Sequence, residues 1–401
     1  MNKDLPACAG GVPTRATFLP IGRPDISEAE KAEVLDTLSG TWLSKGPKVQ
    51  QFQQEFACYV GVHRALALNS CTAALHLALI AAGVGPGDEV IIPSLTFVAT
   101  ANVVCYVGAI PIFTDVEPDT LLMSMSNLKD LVGPKTKAII PVHLYGRPCR
   151  SHEILEFARK HSLVVIEDAA HAVGTIDCGK HIGSIGHFTC FSFYATKNLC
   201  TGDGGMVTCR DNDEAMDRME ILSLHGMSTD AWKRFSPDGS PFWGMVEIGY
   251  KYNLTDLQAS LGIHQLRRLE GFLGLRQKLV EHYRELLIGD PRIKLLAPDP
   301  VNGRHSHHLF AILLNTDRLR CNRDEFVSAL KQENIGSGVH YHALHMQPYY
   351  RERFSLLEED FPVATAAHRQ LLTLPLHTGM QPADVEDTVV ALKRLLNYFE
   401  R

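Results

Sequence analysis

The chain has 401 residues, 45% of them hydrophobic and 21% charged, with a formal net charge of −6. This length and balance predict a globular protein with one large and one smaller domain. The acidic balance argues against nucleic-acid and membrane-surface binding, which favour a basic face. With no signal-peptide core, no membrane-spanning apolar run and ten cysteines without a CxxC pair, the sequence predicts a cytoplasmic protein of enzyme size.

Short apolar strands alternate with helices through the first two thirds of the chain. Ser27 followed by Glu30 forms a capping box that predicts a helix to about Leu38. The next predicted elements are a helical face (Val49, Phe52, Phe56, Val60), strands at 65–68, 89–93, 110–114, 138–143 and 163–167, and helices at 73–82, near Ala99 and at 153–160. This alternation predicts a mainly parallel α/β sheet that is covered on both faces.

From Gly262 onward the pattern changes. It predicts a helix at 265–287, a strand at 308–314, a helix at 323–332, a loop rich in His and Tyr, and a final helix at 383–398. These elements are typical of a smaller α+β domain. We therefore expect a large domain at 1–264, including an N-terminal arm at 1–25, and a small domain at 265–401.

Ligands of parallel α/β sheets bind at the carboxyl ends of strands, often at helix N-termini. Ser70-Cys71-Thr72 lies between a predicted strand and a predicted helix. Its free backbone N–H groups could hold a phosphate, or the segment could be an ordinary N-cap. Asp168 lies just past an apolar strand, where a carboxylate needs a cationic partner or strong hydrogen bonds. A protonated pyridine nitrogen would supply that partner, and a helix cap or buried ion pair is the alternative.

Lys197 follows the aromatic segment 191–194 and precedes a glycine-rich turn at 202–205. Partial burial would lower the pKa of Lys197 and leave its amine nucleophilic, as a Schiff-base lysine requires. A surface lysine is the common alternative. Ser192, in the same segment, could bind a phosphate. The glycine-rich turn lacks the spacing of a dinucleotide-binding fingerprint.

Taken together and in order, these segments resemble the DegT/DnrJ/EryC1/StrS family of sugar aminotransferases, which belong to the fold-type-I class of pyridoxal-phosphate (PLP) enzymes. The resemblance runs from Leu19 to about Leu392. It is carried by segments 42–47, 70–75, 93–97, 167–171, 192–198 and 340–341. Within the family, segments 225–226, 230–232, 249–254 and 349–354 look most like the aminotransferases that make UDP-4-amino-4-deoxy-L-arabinose.

The resemblance implies a role for each part of the predicted site. Lys197 would form the Schiff base with PLP and move the proton. Asp168 would pair with the pyridine nitrogen, His171 would lie near the phenolic oxygen, and Phe97 would stack on the ring. The implied phosphate contacts are Cys71, Thr72 and Ser192.

The segment at 250–253 departs from the family pattern. Many members have Asn where this chain has Lys251, and Arg where it has Asn253. That Asn reaches the phosphate from the neighbouring subunit, so either Lys251 or Asn253 would do so here. The resemblance thus implies a homodimer with shared active sites.

The implied reaction is a ping-pong transamination. Glutamate gives its amino group and leaves as 2-oxoglutarate, and a 4-keto nucleotide-sugar, with UDP-sugars favoured, receives the group. The implied substrate contacts are Trp232, Arg234, His340 and Tyr341, although Trp232 and Arg234 could equally lie in a surface loop. The product would enter lipid A, O-antigen, capsule or antibiotic synthesis.

Two other functions stay open from sequence. One is a non-catalytic PLP-fold sensor or binding protein. The other is a PLP-dependent sugar nucleotide dehydratase, which is disfavoured because related dehydratases carry His at the position of Lys197.

Nineteen histidines raise the question of a metal site. His305 and His307 would share one face of a strand, but no Cys or Asp lies at metal-ligand spacing. We therefore predict no metal, and we expect His305, His307 and His308 on a strand and loop surface near the active-site mouth.

Overall fold

A computed structural model describes residues 5–228 and 244–401. The strands of these ranges are β1 (Ala65–Leu68), β2 (Glu89–Pro93), β3 (Ile110–Thr114), β4 (Thr136–Ile139), β5 (Val164–Asp168), β6 (Ile176–Asp177), β7 (Lys180–His181), β8 (Phe188–Ser192), β9 (Gly205–Cys209), β10 (Ile293–Leu295), β11 (Gly303–Arg304), β12 (Phe310–Leu314) and β13 (Leu371–Leu374). The helices are α1 (Glu28–Ser39), α2 (Pro47–Val60), α3 (Cys71–Ala81), α4 (Val98–Tyr106), α5 (Leu128–Leu131), α6 (Ser151–Lys160), α7 (Asp213–Ser223), α8 (Asp256–Leu287), α9 (Arg323–Gln332), α10 (Pro348–Phe354), α11 (Pro362–Gln370) and α12 (Pro382–Phe399). Across the described ranges, every helix is too short or too polar to cross a membrane.

Seven strands form the central sheet, in the order β1-β9-β8-β5-β4-β2-β3. β9 runs antiparallel to both of its neighbours, and the other pairs are parallel. The predicted, mainly parallel α/β architecture is confirmed. Because β1, β5 and β8 point the same way, the segments that follow them meet at one edge of the sheet.

Local signals explain where several elements begin and end. The capping box predicted for α1 is present. The Ser27 side chain accepts from the backbone N–H of Glu30, and the Glu30 side chain accepts from the backbone N–H of Ser27. Three strands match their predicted bounds: β1, β2 and β3. β4 ends at Ile139 rather than at residue 143, because Pro141 has no N–H for the ladder.

The C-terminal residues build a second layer. β10, β12 and β13 form an antiparallel sheet, and its apolar face packs with α9 and α12 around residues such as Tyr283, Ile312 and Leu392. Tyr283 belongs to α8, so the same helix contributes to this core.

Helix α8 begins at Asp256, nine residues before the predicted start, because Thr255 and Gln258 form a capping box there. Its first part packs on α1 and α2, and its later part contacts α12. The close approach to α2 requires Gly262, since a Cβ there would lie 2.7 Å from the Phe52 ring. The proposed domain boundary at 264/265 falls within this continuous helix and stays a prediction.

Candidate active site

A cavity of about 430 Å³ opens where the carboxyl ends of β1, β5 and β8 meet residues of the C-terminal layer. Nine of the predicted cofactor, catalytic and substrate residues line it: Cys71, Thr72, Phe97, Asp168, His171, Ser192, Lys197, His340 and Tyr341. Segments far apart in the chain therefore converge on one space.

Lys197 lies in the turn that follows β8. Its backbone N–H donates to the Tyr194 carbonyl at 2.8 Å, and the side chain of the next residue, Asn198, donates to the Ser306 carbonyl at 2.7 Å. These contacts direct the Lys197 side chain into the cavity. Burial lowers the pKa of Lys197 to about 8. Roughly a tenth of its amine is therefore neutral at pH 7, far more than for an exposed lysine.

Asp168 ends β5 and is buried at 5% exposure. Its carboxylate accepts hydrogen bonds from Thr100 Oγ1 at 2.8 Å and from the Ala170 N–H at 3.1 Å. Burial nevertheless raises the pKa of Asp168 above its ordinary value, and the Thr100 hydrogen bond opposes that rise. A cation placed against this carboxylate would be bound strongly, because water is excluded from the pair.

His171 is held at both ring nitrogens. The Tyr145 N–H donates to Nδ1 at 3.1 Å, so the proton of the neutral ring sits on Nε2, 2.9 Å from the Tyr341 hydroxyl. Burial holds the pKa of His171 well below its usual value. Phe97 is 52% exposed at the cavity wall, and its ring centroid lies 5.4 Å from that of Tyr341. The rings of Phe97 and Tyr341 could therefore contact the face or the edge of a planar ligand.

The N-terminus of α3 offers an anion site. Ser70 caps the helix by accepting from the Ala73 N–H at 3.1 Å, and the N–H groups of Cys71 and Thr72 have no partner within the helix. Ser192 lies beside them across β9. Gly205 permits this approach, since a Cβ there would lie 2.5 Å from the Cys71 nitrogen. The two sequence interpretations, N-cap and phosphate site, are therefore compatible.

Residues 24–393 match the DegT/DnrJ/EryC1/StrS aminotransferase family. The chain belongs to this family.

Relatives in the family align over nearly the whole chain. The spore coat polysaccharide biosynthesis protein SpsC of Bacillus subtilis is 46% identical over 387 residues, covering 96% of this chain and 99% of SpsC. Spr1654 of Streptococcus pneumoniae, described as a sugar aminotransferase, is 34% identical in its PLP form, with a TM-score of 0.88 over 95% of this chain and 99% of that one. PseC of Helicobacter pylori, an aminotransferase of pseudoaminic acid biosynthesis, is 25% identical with a TM-score of 0.88 over 96% of this chain and 100% of PseC.

Pyridoxal phosphate is the cofactor of this family of aminotransferases, and the cavity fits it. The helix N-terminus at Cys71 suits a phosphate, and the buried carboxylate of Asp168 suits a protonated pyridine nitrogen. The Lys197 amine and the Phe97 ring line the same space. The cavity thus has a complementary group for each part of the cofactor.

Two predicted site residues, Lys251 and Asn253, lie elsewhere. Neither lines this cavity: Asn253 pairs with Leu68 of β1, and Lys251 pairs with Leu224. The Lys251 carbonyl accepts from Asn69 Nδ2 at 3.2 Å. Asn253 is buried, and its amide donates to the Leu254 carbonyl at 3.0 Å. Contact of either with a partner's phosphate stays a prediction. Trp232 and Arg234 lie outside the described residues.

The surface position expected for the histidine cluster is wrong. His307 and His308 are each 4% exposed, and His305 is half-buried. His305 and His307 stack at 4.2 Å, and His307 Nε2 lies 2.9 Å from Asp299. The segment is buried because Arg276 of α8 packs under it and donates to its carbonyls.

In the described part of the chain, a different trio, the mostly exposed His152, Asp177 and Cys178, brings possible metal-ligand atoms within 4.8 Å of one another. None of these three residues lines the active-site cavity.

Thr100 and Tyr145 have no predicted counterpart in the site, and His308, expected on the surface near the active-site mouth, is instead buried in the cavity wall. Thr100 donates to Asp168, and its hydroxyl also contacts that of Thr96. The spacing of four residues between these two threonines is the sequence signal for this contact. His308 is the first residue of the strand predicted at 308–314, and it stands two residues before the observed start of β12. Tyr145 links the site histidines through contacts between distant segments, so local sequence carries no sign of it.

Proposed function

We propose that this aminotransferase moves an amino group from glutamate to a 4-keto sugar nucleotide, with UDP-sugars favoured, in two alternating half-reactions through Lys197. The observation that carries the proposal is the meeting of the Lys197 amine, the Asp168 carboxylate and the α3 N-terminus in one cavity. The sugar part is supported by the polysaccharide role named for SpsC and by the description of Spr1654 as a sugar aminotransferase.

When bound, PLP supplies an electron sink that makes the carbon bearing the amino group acidic. Lys197 acts as the base, because its buried amine has a pKa near 8 and can take up and return a proton at Nζ. Asp168 keeps negative charge at the cavity floor, where it stabilises a cationic ring nitrogen. His171 donates from Nε2 to the Tyr341 hydroxyl, which orients that phenol along the cavity wall.

The sugar nucleotide would enter past His340 and Tyr341. Their segment is fixed because the Tyr145 hydroxyl donates to the His340 carbonyl and His340 Nδ1 lies 3.0 Å from Thr373 Oγ1. We assign these two residues to the sugar side of the pocket. Trp232 and Arg234 are the proposed nucleotide contacts.

A homodimer would complete the site. Lys251 or Asn253 of one subunit would then reach the phosphate held at the α3 N-terminus of the other. Sedimentation of the purified chain, with and without PLP, tests this part; a monomer that retains full turnover contradicts it.

The deciding experiment offers the PLP-loaded protein glutamate and a panel of 4-keto sugar nucleotides: UDP-pentose, UDP-hexose, dTDP-hexose and GDP-hexose. We expect an amino sugar nucleotide and 2-oxoglutarate in equal amounts by mass spectrometry, fastest with a UDP-sugar. Lys197→Ala is the matched blank. Bleaching of the yellow protein by glutamate without an amino sugar from any substrate would refute the sugar assignment. Products that lack nitrogen would favour a dehydratase.

A further inference from the structure

His308 lies two residues before β12, and its ring enters the cavity beside Lys197. Its Nε2 atom is 3.4 Å from Lys197 Nζ. This distance is at the long end of the range for a hydrogen bond. Among the described residues, His308 therefore has a ring nitrogen directed at the Lys197 amine.

The backbone of His308 is fixed on both sides. Its N–H donates to the Tyr145 carbonyl at 2.9 Å, and its carbonyl accepts from Arg276 Nη1 at 3.1 Å. Arg276 also donates to the carbonyls of His307 at 3.2 Å and Leu376 at 3.1 Å. Burying a guanidinium costs free energy unless its donors are satisfied. The buried Arg276 thus fixes the backbone that carries the His308 imidazole, through carbonyl groups rather than an acid.

The neighbouring histidines are occupied by other partners. His171 uses both ring nitrogens, with the Tyr145 N–H and the Tyr341 hydroxyl. His340 Nδ1 lies 3.0 Å from Thr373 Oγ1. Within residues 5–228 and 244–401, by contrast, the buried His308 Nδ1 has no partner, and Nε2 is the ring atom in contact with a polar group.

His308 stays neutral in this setting. Burial, followed by the nearby Lys197 charge, lowers the pKa of His308 well below its usual value. A neutral imidazole has one nitrogen lone pair and can accept a hydrogen bond from an ammonium group. The other titratable groups facing the lysine are Cys71 and Asp168, which raise its pKa, and the histidines at 171 and 340.

We propose that His308 is a positioning residue for Lys197: its Nε2 accepts a hydrogen bond from the Lys197 ammonium and holds the side chain at the cavity floor whenever the amine is not covalently engaged. The proton stays on Nζ, and no bond is made or broken at the imidazole. The inference rests on the proposed role of Lys197 as the catalytic amine. The contact with His308 keeps the released Lys197 amine next to the reacting carbon.

The test measures the pKa of Lys197 in the full chain freed of cofactor. Acetic anhydride is added at a series of pH values, and acetylation of the Lys197 peptide is followed by mass spectrometry. His308→Phe removes the acceptor, so the ammonium loses a stabilising contact. We expect the pKa of Lys197 to fall by about one unit, which is about a tenfold rise in acetylation rate below the pKa.

Two variants control this result. His308→Gln keeps a hydrogen-bond acceptor and should leave the pKa close to the parental value. His345→Phe replaces another buried histidine, which bonds Thr365 and does not line the cavity, and should also leave it unchanged. An unchanged pKa in His308→Phe, or an equal fall in His308→Gln, would overturn the inference.

A second measurement decides the matter if His308→Phe does not fold, as judged by circular dichroism. In protein labelled with ¹⁵N-histidine, the His308 Nε2 resonance is identified by its loss in His308→Gln. It should shift in Lys197→Ala, because the donor is gone. An unchanged resonance refutes the hydrogen bond.

These readouts are independent of substrate. A protein that aminates no sugar nucleotide yet shows both shifts would refute the sugar assignment and keep this inference. A protein that aminates a UDP-sugar and shows neither shift would do the reverse.

Discussion

Gly205 is the point where a single methyl group should disturb the proposed phosphate site. It pairs with Leu68 of β1 and with Ser192 of β8, which places it under the start of α3. A Cβ at this position would lie 2.4 Å from the Ser70 carbonyl carbon and 2.5 Å from the Cys71 nitrogen. Ordinary contact begins near 3.4 Å, and both neighbours are backbone, so β9 or the helix must move by close to an ångström.

The expected cost of Gly205→Ala follows from that displacement. Overpacking a core costs about 1–3 kcal/mol, and backbone neighbours place this case toward the upper end. The movement also separates Ser192 from the N–H groups of Cys71 and Thr72. Losing one charge-assisted hydrogen bond to a phosphate costs about 1.5–3 kcal/mol, which is roughly a 10- to 100-fold loss of PLP affinity.

The assay combines urea unfolding with a PLP titration followed by absorbance. Gly274→Ala is the matched control, because it lies in α8 with no heavy atom within 4 Å of the added Cβ. That control should gain about 0.5–1 kcal/mol of stability and bind PLP as the parent does. Parental PLP affinity and parental stability in Gly205→Ala would refute the reasoning.

Three further predictions concern the cofactor-binding groups. Lys197→Ala should lose turnover and covalent PLP attachment, seen as no added mass after borohydride reduction; attachment at the parental level would contradict its role. In the cofactor-free parent, the attachment rate should rise with pH and level off above about 8, because only the neutral amine reacts and burial sets the pKa there; a flat profile would argue for another lysine. Thr100→Val should weaken PLP binding about tenfold, and by more at low pH. The reason is that losing the hydroxyl donor raises the pKa of Asp168, so less of the carboxylate is ionised as the pH falls. Equal PLP affinities of parent and variant at every pH would contradict this role of Thr100.

Local patterns account for what could be predicted from the sequence. The bounds of β1, β2 and β3 follow from short apolar runs between turn residues, and the cap of α1 follows from Ser27 and Glu30. The first nine residues of α8 lie outside the helix predicted at 265–287, and they include Gly262, which contacts the Phe52 ring.

Tertiary contacts account for what could not be predicted. The burial of His308 depends on Arg276, which is 32 positions away along the chain, and the site geometry around Tyr145 joins three distant segments. The φ of +61° at Tyr145 is unusual for a residue with a side chain, and no propensity predicts it. The predicted site residues were recognised through the order of motifs, whereas the residues that orient them belong to the three-dimensional packing.

Helix α8 has a consequence for how this enzyme can open and close. Its 32 residues extend about 48 Å without a break. At one end the Asp256 carboxylate accepts hydrogen bonds from the N–H groups of Gly46 and Val49. Further along the helix, Arg276 donates a hydrogen bond to the His308 carbonyl. The helix therefore forms a continuous connection between the central sheet and the C-terminal layer. A hinge at 264/265 would have to break the backbone hydrogen bonds in the middle of this helix.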